Sequence, residues 1–357
     1  MSEYGGNPGR GSHALSIRAA EKVYECRERL AAFFGMEDPE RVLFTMNTTY
    51  ALNLVLKGLL RSGDHVLLSD LEHNSVWRPL YKREQAGQIT LDLVRSGAER
   101  GVISADAFCG RIEACLRPET RMVVCAQVSN VCSAELPIRE IAALCHRRGI
   151  LLVVDGAQSA GHLPICVDEW GIDVLCVPGH KGLLGPQGCG VILLGKDVLP
   201  ETVLEGGNGV YSLEGFMTDQ LPERYEVGTL PTPSIAGLCE GVKVLDRIGL
   251  EQVNAYEKWL CRYAKELLGN TEGVQLYSPW HEGSILVFGV SDRTPEQVAE
   301  RLNEEGICVR SGHHCAALAH QTLGTPEGGA VRVSFGLSNR RSDVDALWRA
   351  IRELKRG

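Results

Sequence analysis

Three short apolar runs in the middle of the chain, Ile150–Val154, Val174–Val177 and Val191–Leu194, are separated by glycine-bearing turns. Each is β-branched or leucine-rich and too short for a helix, which predicts strands buried on both faces of a sheet. The pattern ahead of them alternates in the same way. From Ser16 to Phe34, residues Ile17, Val23, Leu30 and Phe33 recur at helical spacing and predict an amphipathic helix. Strands are predicted at Val42–Thr45, His65–Asp70, Ile89–Val94 and Met122–Gln127. Helices are predicted over Tyr50–Leu60, around Trp77 and Leu80, over Ala105–Leu116 and over Ile138–Arg148. Such alternation predicts an α/β fold with a mostly parallel sheet and helices on both faces.

After Gly195 the alternation stops. Residues Glu205–Gly209 read as a flexible loop, and a helix begins near Ser234 after a proline-punctuated turn. A long helical run from Leu250 to Leu268 opens a smaller α+β unit. It has strands at Ile285–Val290, Cys308–Arg310 and Val331–Phe335, and helices at Pro295–Glu305 and Asp343–Leu354. The expected division is an N-terminal arm over 1–15, a large domain over 16–249 and a small domain over 250–357. Met1 to Gly11 is rich in glycine and cannot sustain a helix interior.

Composition adds bounds. At 357 residues the chain has room for two domains and a sizeable core. Net charge is −8, from 37 basic and 45 acidic side chains, with no basic run, which argues against a nucleic-acid partner. No apolar stretch is long enough to cross a membrane and no secretory signal pattern opens the sequence, so the expectation is a cytoplasmic protein. Thirteen cysteines are present, none in CxxC spacing. Cys125, Cys166, Cys176 and Cys189 lie in or beside apolar strands, where thiols act as small hydrophobes in a reducing compartment.

The chemistry gathers at strand ends. Asp155 and Gln158 follow one strand, and Lys181 sits in Pro178-Gly179-His180-Lys181-Gly182 after the next. A lysine between glycines behind a buried strand is placed for desolvation, which lowers its pKa and activates it for a Schiff base. An aspartate on a neighbouring strand end would pair with the protonated nitrogen of a pyridine ring. Taken singly, Asp-Gly is a common turn and His-Lys a common surface dipeptide; together they point to pyridoxal phosphate. Asn47-Thr48-Thr49 at a helix start offers backbone N–H groups and two hydroxyls, a site suited to phosphate, whereas plain capping needs one threonine. His73 lies just past a strand end, on the ligand-binding face of an open sheet, although a lone histidine there is more often structural.

A second constellation is Val309-Arg310-Ser311-Gly312-His313-His314-Cys315-Ala316. Two histidines and an arginine are neighbours that favour a thiolate at Cys315. Nearby Gly312, Gly324, Gly328 and Gly329 predict a mobile loop. Two histidines and a cysteine also suggest zinc, but no fourth ligand stands at a metal-like spacing. A structural role for the cysteine remains the other alternative.

These residues resemble the PLP-dependent class V aminotransferase family, in its cysteine desulfurase and selenocysteine lyase branch. The segments that carry the likeness span essentially the whole length. They are NPGRGSH at Asn7–His13, NTTYALN at Asn47–Asn53, GDHVLLSDLEHNSVWRPL at Gly63–Leu80 and VSN at Val128–Asn130. Further along come DGAQSAGH at Asp155–His162, GHKGLLGPQGCGV at Gly179–Val191, YEVGT at Tyr225–Thr229 and RSGHHCA at Arg310–Ala316. The RxGHHCA form resembles the SUF-type subgroup.

The resemblance implies a fold-type I PLP enzyme, with a seven-stranded, mostly parallel sheet in the large domain and a smaller α+β C-terminal domain. Lys181 would carry the cofactor as a Schiff base, Asp155 would bond its ring nitrogen and Gln158 its phenolic oxygen. His73 would stack on the ring, with Asn130 beside cofactor or substrate. Thr48, Thr49 and His180 would hold the phosphate, joined by Gly228 and Thr229 from the partner subunit of a homodimer. Cys315 would take the sulfur, Arg332 would clamp the substrate carboxylate and Arg310 would assist the cysteine loop. The implied reaction removes sulfur from L-cysteine to give L-alanine and a Cys315 persulfide, for delivery to a sulfur-acceptor protein. Selenocysteine lyase, an aminotransferase or β-lyase without persulfide, and a silent scaffold homologue are the alternatives. Two departures stand out: Pro178 replaces a serine that usually contacts the phosphate, and the family's opening strand segment of the form YLDNAATT is not in this sequence. For the missing segment the alternatives are a misassigned start or a truncated form with a weakened small domain and substrate site.

Overall fold

The computed structural model describes residues 6–9 and 11–354. Its first part runs α1 (Ala14–Phe33), β1 (Val42–Thr45), α2 (Thr48–Leu59), β2 (His65–Ser69), α3 (Asn74–Gln85), β3 (Thr90–Val94) and α4 (Ala105–Cys115). It continues with β4 (Thr120–Ala126), α5 (Ile138–Arg148), β5 (Leu151–Asp155), α6 (Val167–Trp170), β6 (Val174–Pro178) and β7 (Gly190–Leu194). The later part is α7 (Thr232–Ile248), α8 (Leu250–Gly269), β8 (Val274–Leu276), β9 (Ile285–Val290), α9 (Pro295–Glu304), β10 (Arg310–Gly312), α10 (Ala317–Leu323), β11 (Ala330–Ser334) and α11 (Arg341–Leu354).

The first seven strands form one sheet in the order β1-β7-β6-β5-β4-β2-β3. It is mostly parallel, as expected; β7 alone runs against its neighbours β6 and β1. The physical reason is the link from β6 to β7, which carries no helix. A parallel return needs a crossover, usually helical, of a dozen residues or more. Alternate positions along the central strands enter two different cores. Leu67, Val123, Leu152, Val154 and Leu175 face a cluster built with α1, α4, α5 and α7. Val66, Leu68, Val124, Val153 and Cys176 face a cluster built with α2 and α3. Burial on both faces is why these strands are continuously apolar, each aliphatic side chain contributing roughly 1.5–3 kcal/mol.

The second sheet, β10-β11-β9-β8, is antiparallel throughout. Leu260, Phe288, Val298, Val331 and Leu347 join it to α8, α9 and α11 in a core of its own. The strand expected at Cys308–Arg310 lies instead at Arg310–Gly312, because its pairing with β11 begins at Arg310 opposite Arg332. Three elements carried too few residues for a periodic signal: α6, α10 and β8. Residues 1–5 and 10 of the arm expected over 1–15 lie outside the described residues. Cys125 and Cys176 are wholly buried, and burial pushes both thiols well up. No helix among the described residues is long and apolar enough to cross a membrane.

Candidate active site

The C-terminal ends of β2, β4, β5 and β6 open onto a cavity of about 690 Å³, a usual size for a small-molecule site. Thr48, Thr49, His73, Asn130, Asp155, Gln158, His180 and Lys181, scattered over more than 130 positions of sequence, all line it. Lys181 follows β6 in a turn that Gly182 makes possible. A Cβ at Gly182 would fall 2.6 Å from His162 Nε2 and collide with the Ala160 carbonyl, so only glycine lets this turn press on the one after β5. The lysine side chain is open to the cavity, while the protein around it desolvates the amine. Burial lowers its pKa, Asp155 opposes that, and Arg332 and Arg310 add to it.

Asp155 closes β5 and is buried, with Oδ1 accepting the Ala157 N–H at 2.9 Å. Burial raises its pKa, and both that bond and Lys181 hold it back. His73 caps α3: its Nδ1 accepts the Ser75 N–H at 3.0 Å, which leaves the ring proton on Nε2. Ser75 Oγ lies 2.7 Å from His73 Nδ1 and 2.7 Å from Thr49 Oγ1, tying α3 to the start of α2. Burial, then Lys181, Arg310, Arg332 and Arg78, push His73 down to about 4, so the ring is neutral near pH 7. At α2, Asn47 Oδ1 takes the Tyr50 N–H at 3.0 Å, so the helix starts at Thr48 rather than at Tyr50. Thr48 Oγ1 is buried without a partner, beside the free N–H groups of that first turn.

A groove of about 750 Å³ shares Thr49, His73 and Ser75 with the cavity and ends at Cys315. Cys315 is exposed, and Arg310 Nη2 lies 3.5 Å from its Sγ. Arg310 and Arg332 do not line the cavity itself; they stand around the sulfur. Arg332 Nη1 donates to the Asn130 carbonyl at 2.8 Å and its Nε is buried without a partner. Asn130 Nδ2 donates to the His314 carbonyl at 2.8 Å, so Asn130 links the cavity to the cysteine loop. The loop expected to be mobile is pinned. Besides that bond, the Asn74 N–H reaches the Cys315 carbonyl at 2.7 Å. Two of the glycines named for mobility have a conformational role: Gly312 and Gly329 both hold positive φ, and a Cβ on Gly329 would strike the Gly312 backbone.

Gly228 and Thr229 are exposed and stay out of the cavity; Gly228 lines a different one, beside Pro8 and Gly9. Their segment is anchored by Glu226, whose carboxylate takes two Arg27 N–H groups at 2.9 Å and the Phe44 N–H at 2.8 Å, all buried. The sequence reading missed Ser75, the Arg27–Glu226 pair and His320. For Ser75 a signal existed, its place two residues after a capping histidine.

The family model described as Aminotransferase class-V matches residues 1–347. The chain belongs to the class-V aminotransferases. A probable cysteine desulfurase of Methanothermobacter thermautotrophicus is 34% identical over 362 residues, covering 99% of this chain and 89% of the relative. One of Halalkalibacterium halodurans is 33% identical, covering 99% and 87%. The apo structure of a cysteine desulfurase from Thermococcus onnurineus NA1 has a TM-score of 0.89 at 31% identity, covering 99% of this chain and 89% of that one.

Class-V aminotransferases are pyridoxal phosphate enzymes, and this site fits that group. A desolvated amine, a buried carboxylate one strand away, and an unpartnered hydroxyl at a helix N-terminus match an aldehyde, a ring nitrogen and a phosphate in turn.

Proposed function

We propose that the protein is a pyridoxal phosphate-dependent cysteine desulfurase, releasing L-alanine from L-cysteine and keeping the sulfur as a persulfide on Cys315. One observation carries this: Cys315, with Arg310 on its Sγ, opens at the mouth of a groove continuous with the cavity of Lys181 and Asp155. A class-V enzyme that only exchanged amino groups would have no use for a thiol there.

The cofactor supplies the electron sink for a carbanion at the substrate Cα. Lys181 binds it and, with its amine held toward the neutral form, moves the Cα proton. Asp155 holds a proton on the ring nitrogen. Thr48, Thr49, His180 and the first turn of α2 receive the phosphate, in a place where Pro178 brings no N–H. Gln158 would take the phenolic oxygen, and His73, with its proton on Nε2, would lie against the ring. Arg332, with Arg310 and Asn130, takes the substrate carboxylate. Cys315 Sγ attacks the substrate sulfur: the new S–S bond forms as the C–S bond breaks, and the bonding pair returns to carbon, where a proton completes alanine.

The reading extends to a homodimer, in which Gly228 and Thr229 of each chain serve the phosphate end of the other's cavity. Their exposure supports this, as do Leu213 and Phe216, which stand nearly free of contact in the same region. It extends also to the domain division at residues 249 and 250, to the SUF-type likeness of the cysteine loop, to a reducing cytoplasmic setting and to a sulfur-acceptor protein that takes the persulfide.

The test is the purified protein, supplied with pyridoxal phosphate and L-cysteine. Alanine should form, and the peptide bearing Cys315 should gain one sulfur atom by mass spectrometry. Cys315→Ser should keep the cofactor's absorbance and form neither product. Pyruvate in place of alanine, with Cys315 unmodified, overturns the proposal.

A further inference from the structure

Cys315 and His314 hold φ of +57° and +53°, successive left-handed conformations that residues other than glycine avoid. Such a backbone persists only where its surroundings over-determine it. Two surrounding bonds come from Asn74 at the start of α3 and Asn130 in the loop after β4. The others come from a chain of rings.

His314 Nε2 lies 3.1 Å from the Arg310 carbonyl, which can only accept, so the proton of His314 sits on Nε2. Its Nδ1 is then bare and accepts from His320 Nε2–H at 2.9 Å. His320 Nδ1 in turn meets the Thr325 hydroxyl at 2.8 Å. Both rings are 3% exposed and stack with centroids 5.1 Å apart. The charged groups that act on them most strongly are basic: His313, Arg310 and Arg332. Cys315 adjoins His314, and Asp70 meets α10 at Thr322 rather than at either ring. Burial together with the basic neighbours keeps both imidazoles neutral, at about 4 for His314 and about 3 for His320. A second proton on His314 would set one N–H against another.

We propose that His320, acting through His314, positions Cys315 as the sulfur-accepting nucleophile. The chain of bonds ends on Arg310, whose carbonyl receives His314 and whose guanidinium touches the sulfur. Its other end is α10, which Thr322 Oγ1 ties to Asp70 at 2.9 Å. His320 thus fixes where Arg310 and the sulfur sit without meeting substrate, and is a positioning residue. The inference rests on the desulfurase reading for its activity arm only.

Three variants test it. His320→Phe keeps ring volume but leaves His314 Nδ1 without a donor, His320→Gln restores a donor, and Thr325→Val alters only the outer end. In the cofactor-loaded enzyme His320→Phe should lower kcat for alanine about tenfold, with KM for cysteine within about twofold and the cofactor's absorbance unchanged. His320→Gln should recover to within about threefold of the parent, and Thr325→Val should lose about threefold. Independently of turnover, iodoacetamide should alkylate Cys315 at a rate changed about fivefold or more in His320→Phe and near the parental rate in His320→Gln. Parental kcat and alkylation in His320→Phe overturn the proposal. So does an equal loss in the Phe and Gln variants, which would mark His320 as packing alone. Should His320→Phe fail to fold, an unchanged Thr325→Val overturns it. A parent that makes no alanine refutes the desulfurase reading, while the alkylation rates still decide this one.

Discussion

Arg310 on β10 and Arg332 on β11 stand directly opposite each other across the strand pair. Like charges in that relation repel. Burial and the charge of Arg310 hold Arg332 down to about 10, while the nearby Cys315 sulfur opposes that shift. The Nε of Arg332 is buried and unpartnered. On the proposed function, a substrate carboxylate would relieve the repulsion and fill the vacant donor together.

Arg332→Leu should therefore raise KM for cysteine about tenfold or more, with a smaller fall in kcat. Steady-state alanine assays check this, and an unchanged KM would place the carboxylate elsewhere.

Lys181→Ala should abolish the visible absorbance of the bound cofactor, because among the described residues no other lysine than Lys57 lines the cavity, and Lys57 sits on α2 beyond its first turn. An absorbance spectrum after removal of free cofactor decides it; a surviving band would give the anchor to another amine. Asp155→Asn should keep the cofactor and lower kcat about a hundredfold, as the ring nitrogen loses its proton-holding partner.

Stability should fall on both sides of neutrality. Glu72 is wholly buried, with Oε1 receiving the Ala126 N–H at 2.8 Å and the Ser69 hydroxyl at 2.5 Å, and burial pushes it up to about 8. Its folded form keeps a proton that the unfolded chain releases near 4.5, so its contribution is complete below that value and lost as pH rises through about 8. Glu72→Gln should leave Tm at about pH 5 unchanged and raise it by several degrees at about pH 9. On the acid side the sign reverses. His73, His314 and His320 are held below their ordinary 6.5, at about 4, 4 and 3. Their contribution is complete above 6.5 and declines as pH falls toward 4, because the unfolded chain binds more protons there. Urea titrations at stepped pH measure both limbs. A flat acid limb in the parent would mean that these rings are not neutral in the fold.

The buried Arg27–Glu226 pair should be costly to break from one side. Arg27→Met leaves a carboxylate without its partner and should destabilise by about 3–5 kcal/mol. Adding Glu226→Gln should restore part of that. Denaturant midpoints of the single and double variants give the comparison, and an additive loss would deny the coupling.

Most of the sheet and the cavity was legible in the sequence. Runs such as Leu151–Asp155 and Val174–Pro178 announce buried strands because both faces of the sheet are covered, and the residues after them fall at strand ends by continuity of the chain. Asp155, Gln158, His180 and Lys181 could therefore be placed without coordinates. The cysteine loop was read less well. Its glycines suggested mobility, but glycine permits tight approach as readily as motion, and only contacts distant in sequence distinguish the two.

What the sequence determined by itself was local: which runs are strands, where turns break them, and which reactive side chains follow each strand end. Tertiary structure alone decided the relations that depend on pairing. The direction of β7, the register that sets Arg310 against Arg332, the bridge from Asn130 to both Arg332 and His314, and the hold of Asn74 on Cys315 all join separate segments. Hydrogen bonds between such segments form only once the two sheets have packed, and periodicity along one segment contains no information about its partner.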